Sequence, residues 1–253
     1  MYVYLNNKFV KKKEAKIQID DKGFMYGYGI YEAILVHKNK PVDIESNLNR
    51  LKKSADELGL TVPKNLKKII QQLAQKNQLK NSYIRVDLTP ETILVNQSKL
   101  PDFRGRKAIT YFDQRIKPEI KSTSIINAYK ARLEAKKHKA LEALLLDKKN
   151  YVLEGASANI FMVKKGKLIT TTENALPGTS QQKVIEIAEK LNIKTKINRI
   201  PLKKLLKADE VFVTSALKLI KPITKIDSTQ INDGKIGPIT KLLTKELKKE
   251  LLN

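Results

Sequence analysis

The stretch that most constrains this chain is residues 151–181, YVLEGASANIFMVKKGKLITTTENALPGTSQ. An apolar strand carries one carboxylate, Glu154, into a glycine. Small residues follow as far as Asn159. A second apolar run begins at Ile160, turns at Lys165-Gly166 and returns through Leu168 and Ile169. The stretch closes on Pro177-Gly178-Thr179-Ser180, a hydroxyl-rich entry to a helix. Glu154 is costly to bury alone. It is either buried with a cationic or hydrogen-bonding partner, or it sits on an edge strand in water. The helix entry is either an anion site, using free backbone N–H groups and the helix dipole, or a plain N-cap.

Composition removes several chemistries. With 253 residues the chain suits one large domain or two modest ones, each with a core. It has no cysteine, so disulfides and thiolate metal sites are excluded. Its two histidines, His37 and His138, make a histidine metal site or a Ser-His-Asp triad unexpected, and no metal is expected. No apolar run approaches the ~18–20 residues of a membrane helix, and the first residues do not read as a signal peptide. A cytoplasmic protein without a membrane partner is expected.

The formal net charge of +24 raises a reading of a different class, a basic nucleic-acid-binding protein without catalysis. Against it, only seven of the 50 basic residues are arginine, the side chain whose planar fork grips phosphate and guanine. The lysines are spread along the chain and not interleaved with aromatics. They read as solvated surface that steers anionic substrates, and no nucleic-acid partner is expected.

Taken in order, residues 1–40 read as β structure, with a short strand at residues 17–19. A glycine-aromatic segment, Gly23, Gly27 and Gly29 among Phe24, Tyr26 and Tyr28, then suggests aromatic walls for a cleft. Asp43 is a candidate cap for a helix carrying Ile44, Leu48, Leu51 and Ala55 inward, with Arg50 beside that stripe. A second helix is predicted over residues 66–77, a strand over 83–88, and a polar loop over 90–106. Residues 108–112 form another strand. Residues 113–122 read as a crossing between lobes. Thr123 or Ser124 is the expected start of the next helix. Further strands are expected near residues 143–146, 210–215 and 222–226, with helices over 179–191 and 237–252.

Without a metal or a triad, the chemistry rests on Lys, Glu, Tyr and hydroxyls. An anion site together with a buried carboxylate suits a phosphorylated cofactor with a protonatable ring, and pyridoxal phosphate fits. That cofactor also needs a lysine to hold its aldehyde. With 43 lysines present, the residue pattern alone selects none.

A resemblance selects one. DKGFMYGYGIYE, EGASANIF, LPGTSQ, ADEVFVTSALKLIKPITKID and DGKIGPIT occur in the order found in fold-type IV pyridoxal-phosphate enzymes, the class IV aminotransferases. The chain resembles that family over nearly its whole length. The resemblance implies an α+β, two-lobed fold, with a smaller N-terminal α/β lobe over residues 1–116. A larger, barrel-like C-terminal lobe with helices would cover residues 117–253. It implies pyridoxal 5'-phosphate as cofactor and a homodimer as the working form. By position, Lys121 matches the aldehyde-binding lysine, which also shuttles the proton between the substrate Cα and C4′ of the cofactor. Glu154 matches the carboxylate on the ring nitrogen. Arg50, Thr179 and Ser180 match phosphate contacts. Ser215 and Ala216 match a second phosphate or substrate-carboxylate contact. Tyr31, Tyr83 and Arg85, with Ala216 and Leu217, match the substrate pocket.

The implied reaction is a ping-pong transfer of an amino group from an amino acid to a 2-oxo acid such as 2-oxoglutarate. Tyr83-Ile84-Arg85 resembles the branched-chain enzymes. Pro90-Glu91 stands where D-amino-acid aminotransferases and lyases carry Arg-Gly. Gln181 stands where a basic residue is usual. A branched-chain-type aminotransferase is therefore favoured. The alternatives are a D-amino-acid aminotransferase and an aminodeoxychorismate lyase that releases pyruvate.

Overall fold

A computed structural model describes residues 1–252. The backbone separates into two compact units. One comprises Met1–Pro101 with Ile120–Ser124, and the other Asp102–Glu119 with Ile125–Leu251.

In the first unit the strands are β1 (Tyr2–Leu5), β2 (Lys8–Lys11), β3 (Ile30–His37), β4 (Lys40–Pro41), β5 (Asn81–Leu88) and β6 (Ile93–Lys99). They form one sheet in the order β2-β1-β6-β5-β3-β4. Its helices are α1 (Lys22–Tyr26), α2 (Ile44–Glu57) and α3 (Leu66–Asn77). Period-two alternation sends Ile30, Ile34, Ile84 and Val86 to one face. Leu48, Leu51 and Ala55 of α2 and Ile69, Ile70 and Leu73 of α3 close over that face. Full burial of each large aliphatic side chain contributes about 1.5–3 kcal/mol. Tyr83, Arg85 and Asp87 alternate to the opposite face.

Four local expectations are corrected here. The polar loop expected over residues 90–106 contains β6, a central strand paired with both β1 and β5. Its inward positions are Ile93, Val95 and Gln97. Gln97 breaks the apolar alternation, yet its Nε2 donates to Ser82 Oγ at 2.8 Å and to Leu79 O at 3.4 Å, which satisfies the nitrogen end of the buried amide. Residues 17–19 form no strand, and Ile17 and Ile19 are exposed without a pairing neighbour. The glycine-aromatic segment is the short helix α1, capped by Asp21 through Phe24 N–H and ended by Gly27 at φ 66°. Its Phe24 and Tyr26 point outward, at 76% and 70% exposure, whereas Tyr28 lines a cavity with Leu58, Leu60 and Leu88. A side chain at Gly27 would be strained, and a Cβ there would lie 2.7 Å from Ser124 Oγ. Finally, Asp43 precedes α2, but its carboxylate accepts from the Ser46 hydroxyl at 2.6 Å rather than from a backbone N–H.

The second unit opens with β7 (Lys107–Phe112), α4 (Ile126–Lys137), β8 (Glu142–Leu146), β9 (Tyr151–Gly155), β10 (Asn159–Lys164) and β11 (Lys167–Thr170). It continues with α5 (Thr179–Lys190), β12 (Thr195–Ile197), β13 (Ile200–Pro201), α6 (Leu202–Leu205), β14 (Glu210–Ser215) and β15 (Leu219–Ile223). It ends with β16 (Lys225–Ile226), β17 (Thr229–Gln230) and α7 (Pro238–Leu252). Two sheets result, β12-β11-β10-β14-β15 and β13-β9-β8-β7-β16-β17. Leu144 and Val152 from one and Ile160, Val211 and Val213 from the other share a single core. The single strand expected over residues 222–226 divides at Thr224 into β15 and β16, which belong to different sheets. No side chain caps α4. Thr123 and Ser124, the expected caps, instead donate to Gly27 O at 2.8 and 2.9 Å.

Candidate functional site

In the first unit, Ile120–Ser124 runs along the start of β3. Tyr31 N–H donates to Lys121 O at 2.9 Å and Thr123 N–H to Gly29 O at 2.8 Å. Lys121 N–H donates to Ser54 Oγ of α2 at 3.3 Å. These backbone bonds put the Lys121 ammonium over the Tyr31 ring, 4.9 Å from its centroid. Arg85 stacks on the same ring at 4.0 Å. Asp87 holds Arg85, accepting from its Nε at 2.8 and 2.9 Å and pairing with Nη2 at 2.6 Å. Burial alone would lower the Arg85 pKa, but hydrogen bonding and charge from Asp87 leave it raised. The structure thus brings Tyr31, Arg85 and Lys121 together, and Tyr83 shares the face with Arg85.

Arg50 lies on the helix-covered side of that sheet, held by the fully buried Glu32. Its Nε donates to Oε1 at 2.6 Å and Nη2 to Oε2 at 3.0 Å. Burial opposes the Arg50 charge, and the Glu32 charge and hydrogen bonds more than offset it, raising its pKa. Glu32 reaches Arg50 because positions 30, 32 and 34 of β3 face α2.

In the second unit Glu154 is buried at 4% exposure. Its Oε1 lies 3.6 Å from Arg115 Nη1, and its Oε2 accepts the Leu176 N–H at 3.1 Å. Asn159, at the start of β10, donates from Nδ2 to Leu176 O at 2.8 Å. Both backbone groups of Leu176 are therefore gripped by side chains of the EGASAN turn. This fixes the approach to Pro177-Gly178-Thr179-Ser180. A Cβ at Gly178 would lie 1.9 Å from Asn159 Oδ1, so glycine alone permits this closeness. No side chain caps α5 at Gly178. Its first-turn N–H groups, beside half-buried Thr179 and buried Ser180, are aimed as an anion site requires. Gln181 points inward, donating to Thr170 Oγ1 at 2.8 Å and Thr171 O at 2.9 Å. It ties α5 to β11, which accounts for an amide at a position where a basic residue is usual.

Ser215, Ala216 and Leu217 are half-buried in the turn between β14 and β15. Lys218 follows and is buried at 6% exposure. It forms an ion pair with Glu142 and donates to Ser157 Oγ, which in turn donates to Glu142 Oε2 at 2.9 Å. Leu219 closes the turn at φ 54°, a strained torsion for leucine. The EGASAN turn, which contains the exposed Ser157, and the Ser215 turn are thus joined through the buried Lys218–Glu142 pair.

Sequence reasoning did not single out Asp87, Arg115, Glu142 or Lys218. Asp87 had a usable signal, since positions 85 and 87 of a strand share a face. The others depend on tertiary approach and left none.

A family model described as Amino-transferase class IV matches residues 29–226. The chain is a class IV aminotransferase. A putative branched-chain-amino-acid aminotransferase of Methanocaldococcus jannaschii is 31% identical over 98% of this chain and 96% of that protein. A D-alanine aminotransferase of Listeria monocytogenes is also 31% identical, over 95% and 92%. Among solved structures, a T.th. branched-chain amino acid aminotransferase, complexed with N-(5'-phosphopyridoxyl)-L-glutamate, superposes with a TM-score of 0.91. It is 26% identical and covers 98% of this chain and 93% of its own. The fold of this aminotransferase is fold-type IV, and its chemistry is pyridoxal-phosphate-dependent transamination. Each unit by itself carries groups whose chemistry suits that cofactor: the first a lysine stacked on an aromatic ring, the second a buried carboxylate and a glycine-restricted helix start with N–H groups and hydroxyls.

Proposed function

We propose that this aminotransferase moves the amino group of a branched-chain-type amino acid to a 2-oxo acid such as 2-oxoglutarate. One observation carries the choice of substrate. Tyr31 supports both the Lys121 ammonium and the Arg85 guanidinium, on the sheet face that Tyr83 shares. Aromatic surface suits an aliphatic side chain, and an arginine suits the second carboxylate of a dicarboxylic partner. The M. jannaschii relative and the T.th. enzyme, both named for branched-chain amino acids, support the reading.

The cofactor, when bound, takes up the electron pair left at the substrate Cα. Lys121 Nζ would take the proton from the substrate Cα and deliver it to C4′ of the cofactor. Glu154, buried beside Arg115, is the acceptor for the ring nitrogen. Arg50, Thr179 and Ser180 bind the phosphate, and backbone N–H groups at Ser215 and Ala216 bind a second anionic oxygen. Tyr31, Tyr83, Arg85 and Leu217 bound the substrate side chain.

The test is incubation with L-leucine and 2-oxoglutarate. Glutamate without pyruvate is expected. No amino transfer to any 2-oxo acid, with pyruvate released from aminodeoxychorismate, would replace this reading with the lyase. Transfer confined to D-amino acids would replace it with the D-amino-acid enzyme.

The working unit on this reading is a homodimer in the cytoplasm. Among the described residues no helix is long and apolar enough to cross a membrane. α4 exposes Ile126, Tyr129 and Leu133 at helical spacing, and α1 exposes Phe24 and Tyr26. A second copy covering such apolar surface accounts for both. Sedimentation is expected to give twice the chain mass, and Leu133→Glu to shift it towards the monomer. A wild-type monomer at micromolar concentration would sink the dimer.

A further inference from the structure

Arg85 is only partly committed. Asp87 occupies its Nε and Nη2 groups, while Nη1 makes no hydrogen bond within the described protein. The pair is also only half-buried, with 30% of the Arg85 side chain and 22% of the Asp87 side chain exposed. This follows from the strand. Positions 85 and 87 share a face about 6.6 Å apart by strand rise, so the long arginine must fold back along the strand to meet the carboxylate. Folding back lays its plane on Tyr31, which is the cross-strand partner of Asp87. Asp87 therefore sets where the guanidinium lies and cancels most of its charge at the ring that also carries Lys121.

We propose that Asp87 is a specificity-determining residue that acts through Arg85. It tempers the hold of the guanidinium on the dicarboxylic partner, so that the Tyr31 face also stays hospitable to aliphatic substrates. This rests on the reading of that face as a substrate surface. A monocarboxylic, aliphatic substrate meets a neutral ion pair stacked on an aromatic ring. A dicarboxylic substrate must compete with Asp87 for the Nε and Nη2 groups, or accept the single Nη1 edge beside a like charge.

The test uses the cofactor-loaded protein and two unreactive acids, glutarate and 4-methylpentanoate, titrated by calorimetry into wild type and Asp87→Asn. Asparagine keeps the shape and removes the charge. Glutarate is expected to bind about tenfold more tightly to the variant, the gain from freeing one charge-assisted hydrogen bond. Its affinity relative to 4-methylpentanoate rises with it. With L-glutamate and L-leucine as amino donors, the ratio of kcat/KM values should move the same way, chiefly through KM for glutamate. An unchanged ratio would overturn the proposal. So would a loss of glutarate affinity, which would mean that Asp87 presents Arg85 to the carboxylate rather than screening it. Wild-type protein that carries the cofactor but binds neither acid would overturn the substrate reading of this face, and the proposal with it. That failure is distinct, because it is seen before any substitution is made.

Discussion

Lys121→Ala is expected to leave a folded, colourless protein with turnover reduced by about 10⁴-fold or more. In wild type, borohydride should fix pyridoxal phosphate to the chain, with the added mass on the peptide containing Lys121. In the variant that adduct should vanish. The structure separates chemistry from folding here. The bonds that hold this segment to β3 and α2 use the backbone N–H and C=O of residue 121, which alanine retains. The side chain loses its place over Tyr31, an exposed-type cation–π contact worth about 0.5–1 kcal/mol. Thermal stability should therefore fall little while activity collapses. Two results would remove Lys121 from its proposed role. One is a variant that still forms the reducible adduct. The other is a variant that turns over leucine and 2-oxoglutarate at a wild-type rate.

The parts of this molecule legible in its sequence are those where one local pattern decides the outcome. Helices α2, α3 and α5 follow directly from apolar residues at helical spacing. Strands β10 and β14 follow from uninterrupted β-branched and aromatic runs. β6 was not legible, because Asn96 and Gln97 interrupt its pattern. Only a partner strand offering the Ser82 hydroxyl makes Gln97 acceptable inside. Caps failed for a related reason. Thr123, Ser124 and Asp43 are good capping residues, but each had a better-placed neighbour in Gly27 O or the Ser46 hydroxyl. At the candidate site, the need of Glu154 for a partner was readable from the cost of burying a carboxylate. The identities of Arg115 and the Leu176 amide were not. One lies 39 positions upstream and the other 22 downstream, and neither spacing carries a periodic signal.

Lys218→Met is expected to cost about 3–5 kcal/mol of second-unit stability, read as a lower urea midpoint. The argument begins with Glu142, which is 1% exposed and loses its only cationic partner among the described residues. It keeps the Ala143 N–H at 3.1 Å and the Ser157 hydroxyl at 2.9 Å, which are hydrogen bonds but carry no countercharge. Ser157 loses its tie to the Ser215 turn as well. That turn already stores the strain of Leu219 at φ 54°, and Lys218 is the side chain that clamps it down. Releasing it should loosen Ser215 and Ala216, so kcat/KM should fall in the same variant. Adding Glu142→Gln removes the uncompensated charge. The double variant should therefore recover much of the stability, because exchanging a buried pair for neutral groups is often close to neutral overall. Activity should recover less, since neither glutamine nor methionine restores the clamp. If the two substitutions prove additive in stability, the pair is not coupled. The cluster would then be a set of separately satisfied polar groups, with no part in holding the turn.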